Sequence, residues 1–152
     1  MDDADDEPLT RAGRGPHGHA ARLRREELDL TAWELARRLV GVALLCEDVG
    51  GIIVETEAYA RDDAASHSFR GLTPRNRSMF AGPGRLAQAL AIDIAHDGAD
   101  ATAAPFALLD RAVEPLVLTG RRIGISRERE RPWRFALAGS SWLSRALMAA
   151  ES

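Results

Sequence analysis

The chain contains no lysine, so all 20 of its basic residues are arginines. This excludes any mechanism built on a lysine Schiff base. It also leaves phosphate contacts to arginine, backbone N–H groups or polar side chains. Cysteine occurs once, as Cys46. A single thiol excludes a disulfide framework, a zinc knuckle and a cysteine-ligated iron–sulfur cluster. Tyrosine also occurs once, as Tyr59. No apolar run is long enough to span a bilayer and no signal-peptide pattern opens the chain, so a reducing, cytoplasmic setting is expected.

What is present is ordinary for one globular domain: 152 residues, 45% hydrophobic and 28% charged, with a formal net charge of −3. The charge is unevenly spread. Acid is concentrated in Asp2, Asp3, Asp5, Asp6 and Glu7, and arginine from Arg121 onward. Residues 1–25 lack apolar periodicity and read as a disordered tail, leaving 26–152 as the folded domain. His17 and His19, on that arm with no further ligand, read as solvated.

Order is expected from Leu30. Thr31 with Glu34 forms a capping box, and Leu30 with Leu35 a hydrophobic staple, for a helix over Ala32–Val40 that Gly41 ends. Val42–Glu47 and Gly51–Tyr59 read as strands joined by a turn at Asp48–Gly51. Alternation along the second puts Ile53, Glu55, Glu57 and Tyr59 on one face and Ile52, Val54, Thr56 and Ala58 on the other. Arg61–Ser78 reads as a polar loop. A helix is expected over Gly84–Ile92, with Leu86, Ala89 and Leu90 on one side. Asp93–Ala104 reads as irregular. Further strands are expected at Val113–Leu118, from Arg121 to Ile125, and at Trp133–Ala138. The pattern is a small α+β domain with a mostly antiparallel sheet.

The chemistry-bearing residues cluster between Glu55 and Arg85. Glu55 and Glu57 are neighbours on one strand face. Strand carboxylates usually face solvent, but a preceding apolar Ile52-Ile53-Val54 favours a place at a pocket. There a carboxylate can deprotonate a water or stabilise an oxocarbenium-like sugar. Tyr59 is either a core or rim residue or a platform for a planar ligand. His67, in the polar loop, is either solvated or a second wall opposite Tyr59. Thr73-Pro74-Arg75-Asn76-Arg77 is a proline-shaped loop rich in donors, solvated or in contact with phosphate. Gly82-Pro83-Gly84-Arg85 opens a helix whose free N–H groups suit an anion, though any sharp turn into a helix could look the same.

These motifs resemble the alkyladenine (3-methyladenine) DNA glycosylase family. The resemblance rests on Val54-Glu55-Thr56-Glu57-Ala58-Tyr59, Ala65-Ser66-His67-Ser68, Thr73-Pro74-Arg75-Asn76 and Met79-Phe80. It resumes over Gly82-Pro83-Gly84-Arg85 to Asp93, Asp97-Gly98-Ala99-Asp100, Arg122-Ile123-Gly124-Ile125, Pro132-Trp133-Arg134-Phe135 and Ser144-Arg145. It implies a monofunctional enzyme of base-excision DNA repair. Such an enzyme flips an alkylated or deaminated purine out of duplex DNA and hydrolyses its N-glycosidic bond. By motif, Glu57 is the general base, and Tyr59 and His67 are the walls stacking on the flipped base. Arg75, Asn76, Met79, Gly84 and Arg85 lie near the DNA backbone. No metal or organic cofactor is implied, and the enzyme is expected to be a nucleoid-associated monomer whose partner is damaged duplex DNA, with no membrane.

The resemblance has a gap. Between Phe80 and Gly82 the family carries several dozen residues, including a Tyr-rich segment that closes the pocket and supplies the tyrosine wedged into the duplex. A Leu-Arg-Ala-x-Glu-Pro-type motif is also absent; Arg111-Ala112-Val113-Glu114-Pro115 echoes it only out of order. Without the wedge the flipped state should be less populated, and the loss of central strands exposes sheet edges. Two other readings therefore stand beside the enzyme: a non-catalytic remnant that binds DNA weakly, and an α+β domain whose Glu57 face binds a different small ligand.

Overall fold

The computed structural model describes residues 20–60, Asp63 and 83–147. Among the described residues, two helices and six strands form in the order α1 (Ala32–Leu39), β1 (Ala43–Cys46), β2 (Val49–Ile52), β3 (Glu55–Glu57), α2 (Pro83–Ala89), β4 (Phe106–Leu109), β5 (Val117–Gly120) and β6 (Arg134–Leu137). Short 3-10 turns lie at Arg25–Leu28 and Ile94–His96. The strands make two antiparallel three-stranded sheets, β2-β1-β4 and β3-β6-β5. This is the expected α+β class, with the single expected sheet divided in two.

Helix α1 starts as its sequence dictates. The Glu34 carboxylate accepts from the Thr31 N–H at 3.0 Å and from its hydroxyl at 2.5 Å. Gly41 ends the helix at φ 89°, a conformation other residues adopt at a cost. The helix then serves both sheets. Ala36 and Val40 pack with Ala58, Val117 and Phe135, while Leu39 joins Leu23, Val42 and Leu108. A third cluster of Cys46, Phe106 and Leu90 closes the first sheet against the end of α2.

The long strand expected over Gly51–Tyr59 breaks at Ile53-Val54, because its two sides find different partners. The Ile53 N–H still bonds Val42 O at 2.8 Å in the first sheet, whereas Val54 O accepts from Leu137 N–H at 2.8 Å in the second. The chain therefore crosses between sheets there and delivers Glu55–Glu57 to β6. The hairpin turn before it falls at Glu47-Asp48, both at positive φ, two residues earlier than the glycines suggested. Gly50 serves a close approach of backbones instead, since a Cβ there would lie 1.8 Å from Leu44 O, whereas a Cβ on Gly51 would meet nothing within 4 Å.

Several boundaries move. The chain packs from its first described residues: Leu23 is buried, its N–H bonds Leu108 O, and Arg22 bridges Leu109. Order thus begins ahead of Leu30, within the stretch expected to be tail. Residues 1–19, with His17 and His19, lie outside the described residues. Strand β4 had no counterpart in the expected strands; Phe106-Ala107-Leu108 is buried on both faces and shows no alternation. β5 starts at Val117, not Val113, and Val113 is exposed. Arg121–Ile125 is not a strand. On α2, Leu86 and Ala89 are exposed, and only Leu90, one residue past its end, is buried, so the expected apolar side is not formed along the helix.

Candidate active site

Strand β3 pairs with β6 in the register Glu55↔Ala136, Thr56↔Phe135 and Glu57↔Arg134. The side chains alternate as expected. Thr56 points back to α1, where its hydroxyl donates to Ala36 O at 2.7 Å, and Ala58 is buried beneath. Glu55, Glu57 and Tyr59 share the other face.

The two glutamates have different surroundings. Glu55 accepts from Arg134 Nε at 2.7 Å and from the Ser144 N–H at 2.7 Å. Arg134 is itself buried and donates to Arg145 O at 2.5 Å. Burial pushes the Glu55 carboxyl up, but the guanidinium and the N–H outweigh it and hold the group below the ordinary glutamate range. Glu55 is thus a structural anchor for the C-terminal segment.

Glu57 is half-buried. One oxygen accepts from the Ile123 N–H at 2.8 Å and the other from the Tyr59 hydroxyl at 2.6 Å. These bonds use two of the carboxylate's roughly four lone-pair sites, so capacity remains for a water. Tyr59 is oriented by the same bond. Burial first, and then the Glu57 carboxylate accepting its proton, push the phenol well above the ordinary tyrosine range. The phenol therefore stays protonated and keeps donating at any physiological pH.

Behind this pair lies a group the motif reading did not single out. Arg122, 4% exposed, places its guanidinium 4.7 Å from the Tyr59 ring centroid and 5.6 Å from that of Trp133. It donates to Ala58 O and Glu128 O, each at 2.9 Å, and pairs with the fully buried Asp63 through both nitrogens. The signal was present in Arg122-Ile123-Gly124-Ile125, but the spacing does not say that this segment folds against Glu57.

Of the remaining expected site residues, His67, Arg75, Asn76 and Met79 lie outside the described residues. Gly84 and Arg85 fall in the first turn of α2. Next to that helix, Leu44, Ile52, Val54, Leu86, Leu90 and Trp142 line much of an apolar cavity of about 310 Å³ that also touches Glu55. A larger, open cavity of about 660 Å³ lies between the Arg25–Leu28 turn and Gly98–Thr102, with none of the expected site residues in its lining.

Fold and site together describe a small α+β domain that presents a carboxylate and a tyrosine on one sheet face, backed by a buried guanidinium. The sequence profile of the methylpurine-DNA glycosylase family matches residues 26–81 and 80–141, and the chain belongs to that family, a class of DNA-repair hydrolases. The two matched blocks meet at residues 80–81, the position at which the motifs break off. Similar curated proteins are named provisionally as 3-methyladenine DNA glycosylases. One, from Rhodopseudomonas palustris strain HaA2, is 35% identical over 180 residues, covering 80% of this chain and 90% of the relative. One from Agrobacterium fabrum strain C58 is 36% identical over 169 residues, covering 75% and 88%. One from Nitrobacter winogradskyi is 32% identical over 195 residues, covering 90% and 94%. Spans of that length exceed what a 152-residue chain can contribute, so many of each relative's residues fall opposite a gap here.

Proposed function

We propose that this chain hydrolyses the N-glycosidic bond of alkylated or deaminated purines of the 3-methyladenine type in duplex DNA. Glu57 takes a proton from a water as that water attacks the anomeric carbon of the flipped nucleotide. The purine leaves with the bonding electrons, and an abasic site remains. Alkylation at N3 or N7 makes the purine cationic and a good leaving group; the nearby carboxylate also favours the oxocarbenium-like sugar. Tyr59, and His67 from the following segment, stack on the base. Arg75, Asn76, Met79, Gly84 and Arg85 engage the backbone. The protein works as a monomer without a metal or organic cofactor.

The observation that carries this reading is the held carboxylate: Glu57 is fixed by a backbone N–H and a phenol on a face shared with the stacking candidate. The test is release of 3-methyladenine or hypoxanthine from damaged duplex DNA by the full chain and by Glu57→Gln. Loss of a general base is expected to slow release by about 10²–10⁴-fold in a variant that still folds. No release by the wild type, or release undiminished in the variant, overturns the catalytic reading.

A second reading has its own support. The relatives carry residues that this chain lacks, and Ile52, Leu86 and Trp142 stand exposed around the apolar cavity. A chain that binds DNA in a salt-sensitive way but releases no base would be a non-catalytic remnant.

A further inference from the structure

We propose that Arg122 is a positioning residue that sets both Tyr59 and Glu57, by plating one face of the tyrosine ring and by anchoring the backbone whose next N–H holds the carboxylate. The proposal rests on the Glu57 reading above and extends it to a residue that touches neither water nor base.

The geometry is specific to a guanidinium. Nη1 reaches Ala58 O, one residue before Tyr59, and Nη2 reaches Glu128 O, both at 2.9 Å. The same two nitrogens face the Asp63 carboxylate. A planar fork can make these contacts with its carbon 4.7 Å from the Tyr59 ring centroid, which an ammonium cannot. The guanidinium also lies 5.6 Å from the Trp133 ring centroid, and Arg131 approaches that ring at 4.6 Å. A base can therefore stack on Tyr59 only from the face Arg122 does not occupy. The residue after Arg122 gives its N–H to Glu57, so a shift of the fork moves platform and base together.

Stability alone accounts poorly for this arrangement. Buried ion pairs are weak contributors to stability, and Arg122 Nε is buried with no hydrogen-bond partner, which is unfavourable. A residue kept under those terms is better explained by the orientation it imposes.

The test uses the full chain with its tyrosine ring carbons labelled. Tyr59 is the only tyrosine, so it gives one set of ring signals; the Ile123 amide reports the bond to Glu57. The variant is Arg122→Met with Asp63→Asn, which avoids leaving a lone buried charge. The folded double variant should shift the Tyr59 ring signals toward solvent-exposed positions and move the Ile123 amide upfield. Single-turnover base release should fall on the order of 100-fold, as for a misplaced reacting group, while affinity for undamaged duplex DNA and its salt dependence stay at wild-type values. A folded double variant with both signals unchanged overturns the proposal. Should that variant not fold, Arg122→Lys keeps a charge opposite Asp63 but loses the fork; the same shifts are expected, and their absence overturns the proposal. If the wild-type chain releases no base, the Glu57 reading falls, and the two signals still decide the role of Arg122.

Discussion

The two three-stranded sheets are equal in size and each covers an apolar cluster, but the directional bonds around them differ. The sheet β3-β6-β5 is tied down by directional bonds: Arg134 to Glu55 and Arg145 O, Arg122 to Asp63 and two carbonyls, Glu57 to Ile123 N–H. The sheet β2-β1-β4 buries Leu23, Val42, Leu108, Cys46 and Phe106, has the Arg38–Asp110 pair just past the end of β4, and leaves its edge strand β2 exposed along its whole length. Hydrophobic burial is non-directional and tolerates adjustment. Charge-assisted bonds specify angles and distances. The face that presents Glu57 and Tyr59 is the one built from the second kind.

The comparison breaks most sharply at Arg134. Arg134→Met leaves Glu55 partly buried with only the Ser144 N–H. It should cost about 3 kcal/mol or more, read from denaturant unfolding, and release the segment around Arg145. An equal loss from Glu55→Gln with Arg134→Met together would argue against the orphaned charge as the cause.

On the apolar side, Leu90→Ala removes a buried side chain from the cluster with Cys46 and Phe106. It should cost about 2–3 kcal/mol and leave the Tyr59 environment unchanged, since no charged network runs through it. A variant that disturbs Tyr59 as much as Arg134→Met would show the two halves to be coupled.

Acid separates the halves more gently. Glu55 sits below its ordinary value of 4.5 in the folded state because Arg134 and Ser144 outweigh the effect of burial. Its contribution is therefore present above that value and is lost as the pH falls through the lower, folded one. Melting temperature should fall on acidification below about pH 4.5, and Glu55→Gln should flatten that fall. Asp110, held low first by Arg38, keeps part of the acid sensitivity in the variant.

The smallest effect is expected at Trp142, 85% exposed. Trp142→Ser should change stability by no more than about 0.5 kcal/mol, while reducing self-association at high concentration by thinning the apolar rim around Ile52 and Leu86.

Local signals carried much of the fold. The Thr31–Glu34 pair, the helix it starts, Gly41 at its end and the β6 segment follow from capping, backbone freedom and alternation within a few residues. So does the shared face of Glu55, Glu57 and Tyr59, because strand side chains alternate whatever the strand pairs with. The family was equally legible, being a matter of residue order. Three features were not. The break at Ile53-Val54 depends on which neighbour each backbone group finds. β4 is apolar on both faces and so shows no period. Arg121–Ile125 looked like a strand but folds as the support beneath Tyr59. The sequence by itself determined which residues face together on a strand and which family the chain belongs to. Only the tertiary structure decided that Glu55 is an anchor, that Glu57 is held by Ile123, and that Arg122 lies on Tyr59. Those roles rest on bonds between residues 59 to 89 positions apart in the chain, and no local period or spacing encodes a partner at that distance.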